Sequence, residues 1–302
     1  LQVVLDKGQR EDWFSSTFII WMSFIAFSSL SFLIVNELFS ANPVVNLRIF
    51  RNRTFSAANL VMFFAFFNLF GSIVLLPIYL QTLMGYTSYL AGLVLGPGGV
   101  ATMVAMPIAG QLITRMNPKF LLAFGITVGS YSIYLMSKFN LQADFEAIII
   151  PRIVLGIGMG FLFIPLNTMA MSRIPREEMG NATGLFNLLR NLGGSFGVAF
   201  VTTLLARRAQ FHQARLVEHM TPLDRNFQFA LPQVSGNLQE RGLDPGLLTQ
   251  GTPGAIYHQL LQQASMLSFN DVFFLLSVLM ILILPLVFFM RMGTSTGPPV
   301  VH

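Results

Sequence analysis

One apolar run decides the fold class of this chain: ATGLFNLLRNLGGSFGVAFVTTLLA, residues 182–206. A helix of this length can cross the hydrocarbon core of a bilayer. Arg190 lies near its middle, and a guanidinium keeps its charge in proteins. Exposure of that charge to lipid would cost about 2.5–3.5 kcal/mol on insertion scales. We therefore expect Arg190 to face a wet cavity or a partner group.

The composition of the whole chain indicates an integral membrane protein. Of its 302 residues, 54% are hydrophobic and only 10% are charged, whereas a soluble domain is about 25% charged. The net charge of +5 comes mostly from basic residues in short gaps between apolar runs. This pattern favours topology determinants over a nucleic-acid-binding surface. The chain contains no cysteine, which excludes disulfides and thiolate metal sites.

Seven apolar runs predict seven membrane-spanning helices. The runs are continuous rather than alternating, which excludes a transmembrane barrel. The sequence therefore predicts an all-α integral membrane protein built as a helical bundle. The predicted spans are 17–38, 57–81, 89–113, 119–138, 147–171, 182–206 and 269–290.

Basic residues in the short loops predict the orientation of the chain, because cytoplasmic loops carry an excess of lysine and arginine. One side holds eight of them and the other holds three. The first side is therefore expected to be cytoplasmic, together with the C-terminus. The eight are Arg48, Arg51, Arg53, Arg115, Lys119, Arg173, Arg176 and Arg291, and the three are Lys7, Arg10 and Lys138.

The segment 207–268 is rich in charges, prolines and glycines, and we expect it outside the membrane. Residues 206–220 and 255–267 have helical patterns that continue the adjoining spans. This predicts a projecting helical hairpin with a mobile tip around 232–254, and a disordered loop is the alternative. His212, His219 and His258 lack metal-ligand spacing, so no metal site is predicted and solvated histidines are expected.

Small residues and prolines recur within the spans. Glycine at four-residue spacing lets two helix backbones approach closely, so we expect the pairs mainly to pack helices. Prolines can kink helices, as in transporters that hinge around a midplane site. The glycine pairs are Gly92 and Gly96, Gly125 and Gly129, Gly156 and Gly160, Gly180 and Gly184, and Gly193 and Gly197. The prolines are Pro77, Pro97, Pro107, Pro151, Pro165 and Pro285.

Polar side chains within the spans mark the candidate site. Asn187, Arg190 and Asn191 share one helix face because they stand at i, i+3 and i+4. One interpretation is that this face forms hydrogen bonds between helices. The arginine favours the other, in which the face lines a water-filled interior or contacts a partner group. Asn59, Asn68 and Asn167 are further candidates. No acid lies well inside a span, and no Walker loop, HExxH or GxSxG motif supports an enzyme or a cofactor.

Three stretches together resemble EmrB/QacA-type multidrug transporters, the fourteen-span drug:proton antiporters of the major facilitator superfamily. Residues 76–99 resemble the region of their ninth and tenth helices. Residues 5–14 are similar to the loop between helices seven and eight, and residues 174–197 resemble the start of helix thirteen. The resemblance implies that this chain is the C-terminal portion, with one linker helix and the second six-helix repeat. The chain is then a fragment that begins inside an earlier helix, whose tail is 1–5.

Two superfamily signatures appear in weakened form. Residues 110–119 resemble the cytoplasmic loop motif that brackets the conformational switch and keep Gly110, Arg115 and Lys119, but Thr114 replaces the usual acid. Residues 152–160 are similar to the arginine-plus-glycine motif linked to proton coupling. Arg152 lies near the outer end of its span, so snorkelling to the interface is an equal alternative.

The resemblance implies proton-driven export of hydrophobic and amphipathic drugs across a bacterial inner membrane. Asn59, Phe63, Phe66 and Asn68 are expected near the substrate, and Arg190 would orient the cavity or pair with a carboxylate of the absent half.

The outer loop would meet a periplasmic EmrA-type adaptor that joins an outer-membrane channel. A single-metabolite exporter and a non-transporting scaffold are the alternatives. The expected division is 1–16, 17–56 (linker helix), 57–206 (five helices of the repeat), 207–268 (outer loop) and 269–302 (last helix and tail).

Overall fold

Helices form all the regular secondary structure in the residues that the computed structural model describes, which are 2–8, 13–39, 46–218, 220, 224–240 and 248–290. Three short 3₁₀ helices lie between the α-helices: η1 (Trp13–Ser15), η2 (Leu47–Arg51) and η3 (Arg176–Glu178). The α-helices are α1 (Gln2–Gly8), α2 (Thr17–Phe39), α3 (Arg53–Thr82), α4 (Ser88–Leu112), α5 (Pro118–Met136), α6 (Phe145–Met171), α7 (Met179–Val217), α8 (Arg225–Glu240), α9 (Leu248–Leu282) and α10 (Leu284–Phe289).

Side-chain caps set the starts of several long helices. The side-chain oxygen of Asn52 accepts hydrogen bonds from the backbone N–H groups of Thr54 and Phe55 at the start of α3. Asn117 caps α5 in the same way, with Pro118 as the first helical residue. These caps satisfy N–H groups that have no partner within the helix. The short connections then make consecutive helices run in opposite directions.

Seven helical segments in the described part of the chain are long and apolar enough to cross a membrane. The predicted all-α class with seven spans is therefore confirmed. α7 continues past residue 206 to Val217, as the helical pattern of 206–220 predicts. One boundary differs from the prediction. The last span breaks at Ile283, close to Pro285, which cannot donate a backbone hydrogen bond.

The bundle consists of two groups of helices joined along α3 and α6. α6 packs against α4 and α5, while α3 packs against α7 and α9. The contact of α3 with α6 and that of α5 with α9 join the groups. α4 and α7 thus lie at opposite edges. The linker helix α2 is almost fully exposed and contacts mainly the short helices beside it.

Three of the five glycine pairs lie at helix crossings, as the spacing predicts. A Cβ at Gly156 would overlap the carbonyl oxygen of Gly98, and one at Gly193 would overlap that of Phe63. The third pair, which includes Gly125, lies where α5 meets α6. The pairs Gly92 and Gly96, and Gly180 and Gly184, have no neighbour within 4 Å of such a Cβ. Among the residues that the structure describes, those two pairs pack against no other helix, so the packing role predicted for them is not seen there.

The two ends of the bundle are built differently. The η2 end carries η2, the α4–α5 connection, the α6–α7 connection and α10. Here Lys119 Nζ donates to the carbonyl oxygen of Phe288, at 3.3 Å. The hairpin end carries the outer parts of α7 and α9, with α8 packed against α9. Residues 232–240 and 248–254 of the predicted tip are helical, while 241–247 lie outside the described residues.

A polar cluster fastens α7 to α9 at the hairpin end. His212 Nε2 lies 2.8 Å from Asp271 Oδ2, and Arg208 Nε lies 3.6 Å from the same oxygen. The His212 side chain is only 18% exposed, so the expectation of a solvated histidine is wrong at this position. His258 is exposed, and His219 lies outside the described residues. Arg10 and Arg291, used to predict orientation, also lie outside them.

Candidate functional site: an aromatic face beside Arg190

Arg190 lies deep within the membrane-crossing part of α7. It is eleven residues from Met179, which is about 16 Å at 1.5 Å per residue and close to half of the hydrocarbon thickness. Its guanidinium carbon lies 5.4 Å from the centroid of the Phe66 ring. No acidic side chain in the described part of the chain pairs with it. The charge is thus stabilised here by an aromatic face, worth about 0.5–2 kcal/mol.

Phe66 belongs to a band of aromatic side chains that connects three helices. Its ring centroid lies 5.2 Å from that of Phe163 on α6 and 5.9 Å from that of Phe70 on α3. Phe63 on α3 lies 5.9 Å from Phe196 on α7. These five residues are called the phenylalanine band below. Phe70 is 41% exposed and Phe196 is 38% exposed, so the band presents an open apolar surface beside one cation.

Three of the predicted asparagines lie around this band. Asn167 is exposed and donates to the carbonyl oxygen of Phe163 at 2.9 Å, which places it one turn beyond that ring. Asn191 is exposed and Asn187 is half-buried, next to Arg190 on α7. The structure therefore brings together most of the predicted polar residues and both predicted phenylalanines, Phe63 and Phe66.

Asn59 and Asn68 differ from the expectation. They are 1% and 0% exposed, so neither lines an open face in this structure. Each side-chain nitrogen donates to the carbonyl oxygen four residues earlier, of Phe55 and Phe64 respectively. Each Oδ1 is buried without a partner. Their helix is the expected one, but their faces of it point into the packed interior of the bundle.

Arg152 is buried between helices rather than at the membrane interface. It is 6% exposed, and its Nη1 donates a hydrogen bond to Ser72 Oγ at 3.5 Å. Its side chain packs against Gly98, where a Cβ would lie 2.9 Å from Arg152 Cγ. Nε is buried without a partner. Snorkelling requires the guanidinium to reach water, so that alternative is wrong for Arg152.

The other predicted coupling residues lie far from Arg152, at the η2 end. Gly110 has no neighbour within 4 Å of a built Cβ. Arg115 is exposed, and Lys119 holds the carbonyl of Phe288. The structure therefore separates the two weakened signatures, because residues 152–160 lie within the packed part of α6.

A concavity lies between α4 and α6, with a volume of about 850 Å³. It is lined by glycine, proline and aliphatic side chains together with Phe161, and it contains none of the predicted site residues. Without a hydrogen-bonding side chain, this groove has no means to distinguish a solute from a lipid tail. The phenylalanine band is the stronger candidate because it combines apolar area with charge and amides.

The pair of His212 and Asp271 was missed by sequence reasoning. The two residues are 59 positions apart, and no motif connects them. The sequence predicted a solvated histidine, and it gave no partner for the aspartate. Only the packing of α7 on α9 makes them partners.

The fold and this site define a multi-pass α-helical membrane protein. The profile of the Major Facilitator Superfamily matches residues 8–198, and the chain belongs to that family. The expected family is thereby confirmed, and it points to a transporter rather than an enzyme. The chain is 33% identical over 298 residues to the multidrug export protein EmrB of Escherichia coli, covering 98% of the chain and 57% of that relative.

Two further relatives show the same coverage. The fatty acid resistance protein FarB of Neisseria gonorrhoeae is 32% identical over 98% of the chain and 57% of its own length. The colistin resistance protein EmrB of Acinetobacter baumannii is 26% identical over 97% of the chain and 57% of its own length. The chain thus spans somewhat more than half the length of these curated relatives.

Proposed function

We propose that this chain is the C-terminal part of a multidrug efflux permease that exports hydrophobic and amphipathic compounds by proton antiport across a bacterial inner membrane. The observation that carries the proposal is the phenylalanine band with Arg190 beside Phe66. The names of the relatives, multidrug export and fatty acid resistance, support the same class of substrate.

The phenylalanine band suits substrates that have hydrophobicity in common rather than a fixed hydrogen-bonding pattern. Aromatic rings offer large apolar area and offset stacking for flat molecules. Exposed Asn167 and Asn191, with half-buried Asn187, offer a few polar contacts. Sparse polar groups select weakly among substrates, which is the property that a multidrug exporter requires.

Alternating access rocks one repeat against the other around a site near the midplane. Arg190 is then the group of this repeat that pairs with a carboxylate of the other repeat in one of the two states. Arg152 is a second coupling candidate, since its buried charge has no acidic partner in the described part of the chain. Gly110, Arg115 and Lys119 belong to the hinge region at the η2 end.

Asn59 and Asn68 take a different part in this proposal. Their unpaired Oδ1 atoms lie in the packed interior of the bundle, so they contribute to the cavity only if α3 moves during the cycle. The substrate contacts proposed on α3 are therefore those of Phe63 and Phe66.

The orientation and partners follow the same proposal. The η2 end faces the cytoplasm with the C-terminus, because it holds the excess of short-loop arginines. The hairpin within 207–268 then projects into the periplasm, where it contacts an EmrA-type adaptor that connects to an outer-membrane channel. The other parts of the proposed division are the linker helix in 17–56, the repeat in 57–206 and the last span in 269–302.

The experiment uses the full-length protein, expressed in a strain that lacks its major efflux pumps. Resistance to a panel of unrelated cationic and neutral compounds is measured, followed by substrate-dependent proton flux in proteoliposomes. Resistance to several compounds together with proton flux supports the proposal. Protection against one compound only would favour a single-metabolite exporter. Absence of any substrate-dependent flux would favour a scaffold without transport activity.

A further inference from the structure

The fold assembles a cluster of arginines at the η2 end from two distant segments. One segment is η2 with the first residue of α3, and the other is the α6–α7 connection. All five side chains are exposed. They are Arg48, Arg51, Arg53, Arg173 and Arg176, and they are called the arginine cluster below.

Two hydrogen bonds hold these segments together. The side-chain nitrogen of Asn46 donates to Glu178 Oε1 at 2.9 Å, and the side-chain nitrogen of Asn181 donates to the carbonyl oxygen of Asn46 at 3.2 Å. The joined residues are 132 and 135 positions apart in sequence. The two segments that carry the arginines are therefore held against each other by the tertiary structure.

Apolar packing supports the same junction. Ile49 of η2 and Phe55 of α3 are buried in a small cluster with Ile174 and Leu185. Arg48 and Arg51 stand three residues apart, which puts them on the same side of a 3₁₀ helix. η2 is thus an amphipathic segment with its apolar side on the bundle and its arginines outward.

The cluster keeps an excess of positive charge. It contains five arginines, and the acids within the same two segments are Glu177 and Glu178, which leaves a formal charge of +3. Glu178 already accepts a hydrogen bond from Asn46. The half-buried side chains of Leu47 and Phe50 lie beside the arginines and offer apolar contact next to the charge.

We propose that the arginine cluster binds the phosphate headgroup of an anionic phospholipid in the adjacent leaflet. Guanidinium groups form strong, often paired hydrogen bonds with phosphate oxygens. Basic pockets between membrane helices suit such headgroups, and the half-buried side chains of Leu47 and Phe50 would contact the start of an acyl chain. If these arginines served only to set the orientation of the chain, positive charge on this side of the membrane would be enough. Contact between the two segments would not be needed.

The bound lipid couples two parts of the chain. η2 connects the linker helix α2 to α3, and the α6–α7 connection leads into α7, which carries Arg190. An anionic headgroup held by both segments resists their separation. This inference goes beyond the proposed export activity and stands independently of the substrate.

The test uses the detergent-purified full-length protein and its thermal unfolding during titration with phosphatidylglycerol, phosphatidylcholine or glycerol phosphate. We expect phosphatidylglycerol to raise Tm and phosphatidylcholine to raise it much less. Arg51→Gln and Arg48→Gln/Arg51→Gln should raise the half-saturating phosphatidylglycerol concentration about fivefold per arginine removed. Arg176→Gln, on the other segment, should act like Arg51→Gln.

Arg115→Gln is the matched control, because Arg115 is an exposed arginine at the same end on a different connection. It should leave the half-saturating concentration unchanged. An equal loss in Arg115→Gln would overturn the proposal in favour of general charge, as would equal stabilisation by phosphatidylcholine. If glycerol phosphate stabilised the protein as much as phosphatidylglycerol does, the site would bind a soluble phosphate. That result would overturn the proposal of a lipid ligand. Each variant is first compared with the wild type without lipid, so that a folding defect is recognised.

Discussion

Arg190 on α7 holds its guanidinium carbon 5.4 Å from the ring centroid of Phe66 on α3. The same ring lies 5.2 Å from Phe163 on α6, so one aromatic side chain connects the cation to both groups of helices. A movement of α7 relative to α3 must change this contact. The residue that carries the charge is therefore also placed to respond to rearrangement of the bundle.

The contact of Arg190 with Phe66 should contribute to transport in the full-length protein. We expect Arg190→Ala and Phe66→Leu each to slow drug efflux about 2- to 30-fold, the range of a cation–π contact. The double variant should lose little more than either single one, because the two residues share one interaction. The measurement is efflux of a fluorescent substrate at several pH values.

Arg215→Ala is the control for this cycle, since Arg215 lies 5.7 Å from the ring of Phe211 at the exposed hairpin end. Its efflux should match that of the wild type. If Arg190→Ala leaves both drug resistance and pH-dependent efflux unchanged, Arg190 has no part in coupling.

Arg152 should lower the thermal stability of the protein while contributing to proton-coupled efflux. A buried cation without an acidic partner is costly, and apolar replacement of buried charges is often stabilising. We therefore expect Arg152→Met to raise Tm of the full-length protein and to reduce proton-coupled efflux at least about tenfold, which corresponds to roughly 1.4 kcal/mol. Arg115→Met, at an exposed position, should not raise Tm. A drop in Tm for Arg152→Met would show that the rest of the protein supplies a counter-ion.

The close crossing of α4 and α6 should tolerate no side chain at Gly156. Gly156→Ala places a methyl group on the carbonyl oxygen of Gly98, and such overpacking typically costs about 1–3 kcal/mol. We expect a clear loss of Tm in detergent. Gly92→Ala is the matched change, because nothing lies within 4 Å of a Cβ at Gly92. Equal effects of the two substitutions would contradict this packing.

The cluster around Asp271 should hold the outer parts of α7 and α9 together. Asp271→Asn removes the charge that His212 and Arg208 share. Because the cluster is partly exposed, we expect amide hydrogen exchange near His212 to accelerate only about 2- to 10-fold, the range of a typical net hydrogen bond. The control is Asp144→Asn, whose side chain forms no capping hydrogen bond. Unchanged exchange in Asp271→Asn would show that apolar packing alone holds the hairpin.

Spacing in the sequence predicted which glycines are able to pack, but it did not distinguish those that do. All five pairs have the same spacing, yet within the described part of the chain only three meet another helix. Gly92 and Gly96 on α4, and Gly180 and Gly184 on α7, lie on the two helices at opposite edges of the bundle. Whether a glycine contacts the backbone of another helix depends on a neighbour that is distant in sequence. A local sequence pattern therefore cannot predict which glycines form such contacts.

The same limit explains the asparagines. Asn59 and Asn167 are both polar residues inside apolar runs, and both donate to a carbonyl four residues earlier. One is buried in the bundle and the other is exposed beside the phenylalanine band. Helical periodicity predicts which residues share a face, but the direction of that face depends on how the helices are arranged.

The number of spans, their helical state and the family were determined by the sequence alone. A bilayer requires about 20 apolar residues per helix and internal satisfaction of every backbone group, and both are local properties that composition reveals. The partner of Arg190, the burial of Arg152 and the pairing of His212 with Asp271 were decided only by the tertiary structure. These contacts join residues on different helices, and side-chain packing between helices selects them from many arrangements that the same apolar runs permit.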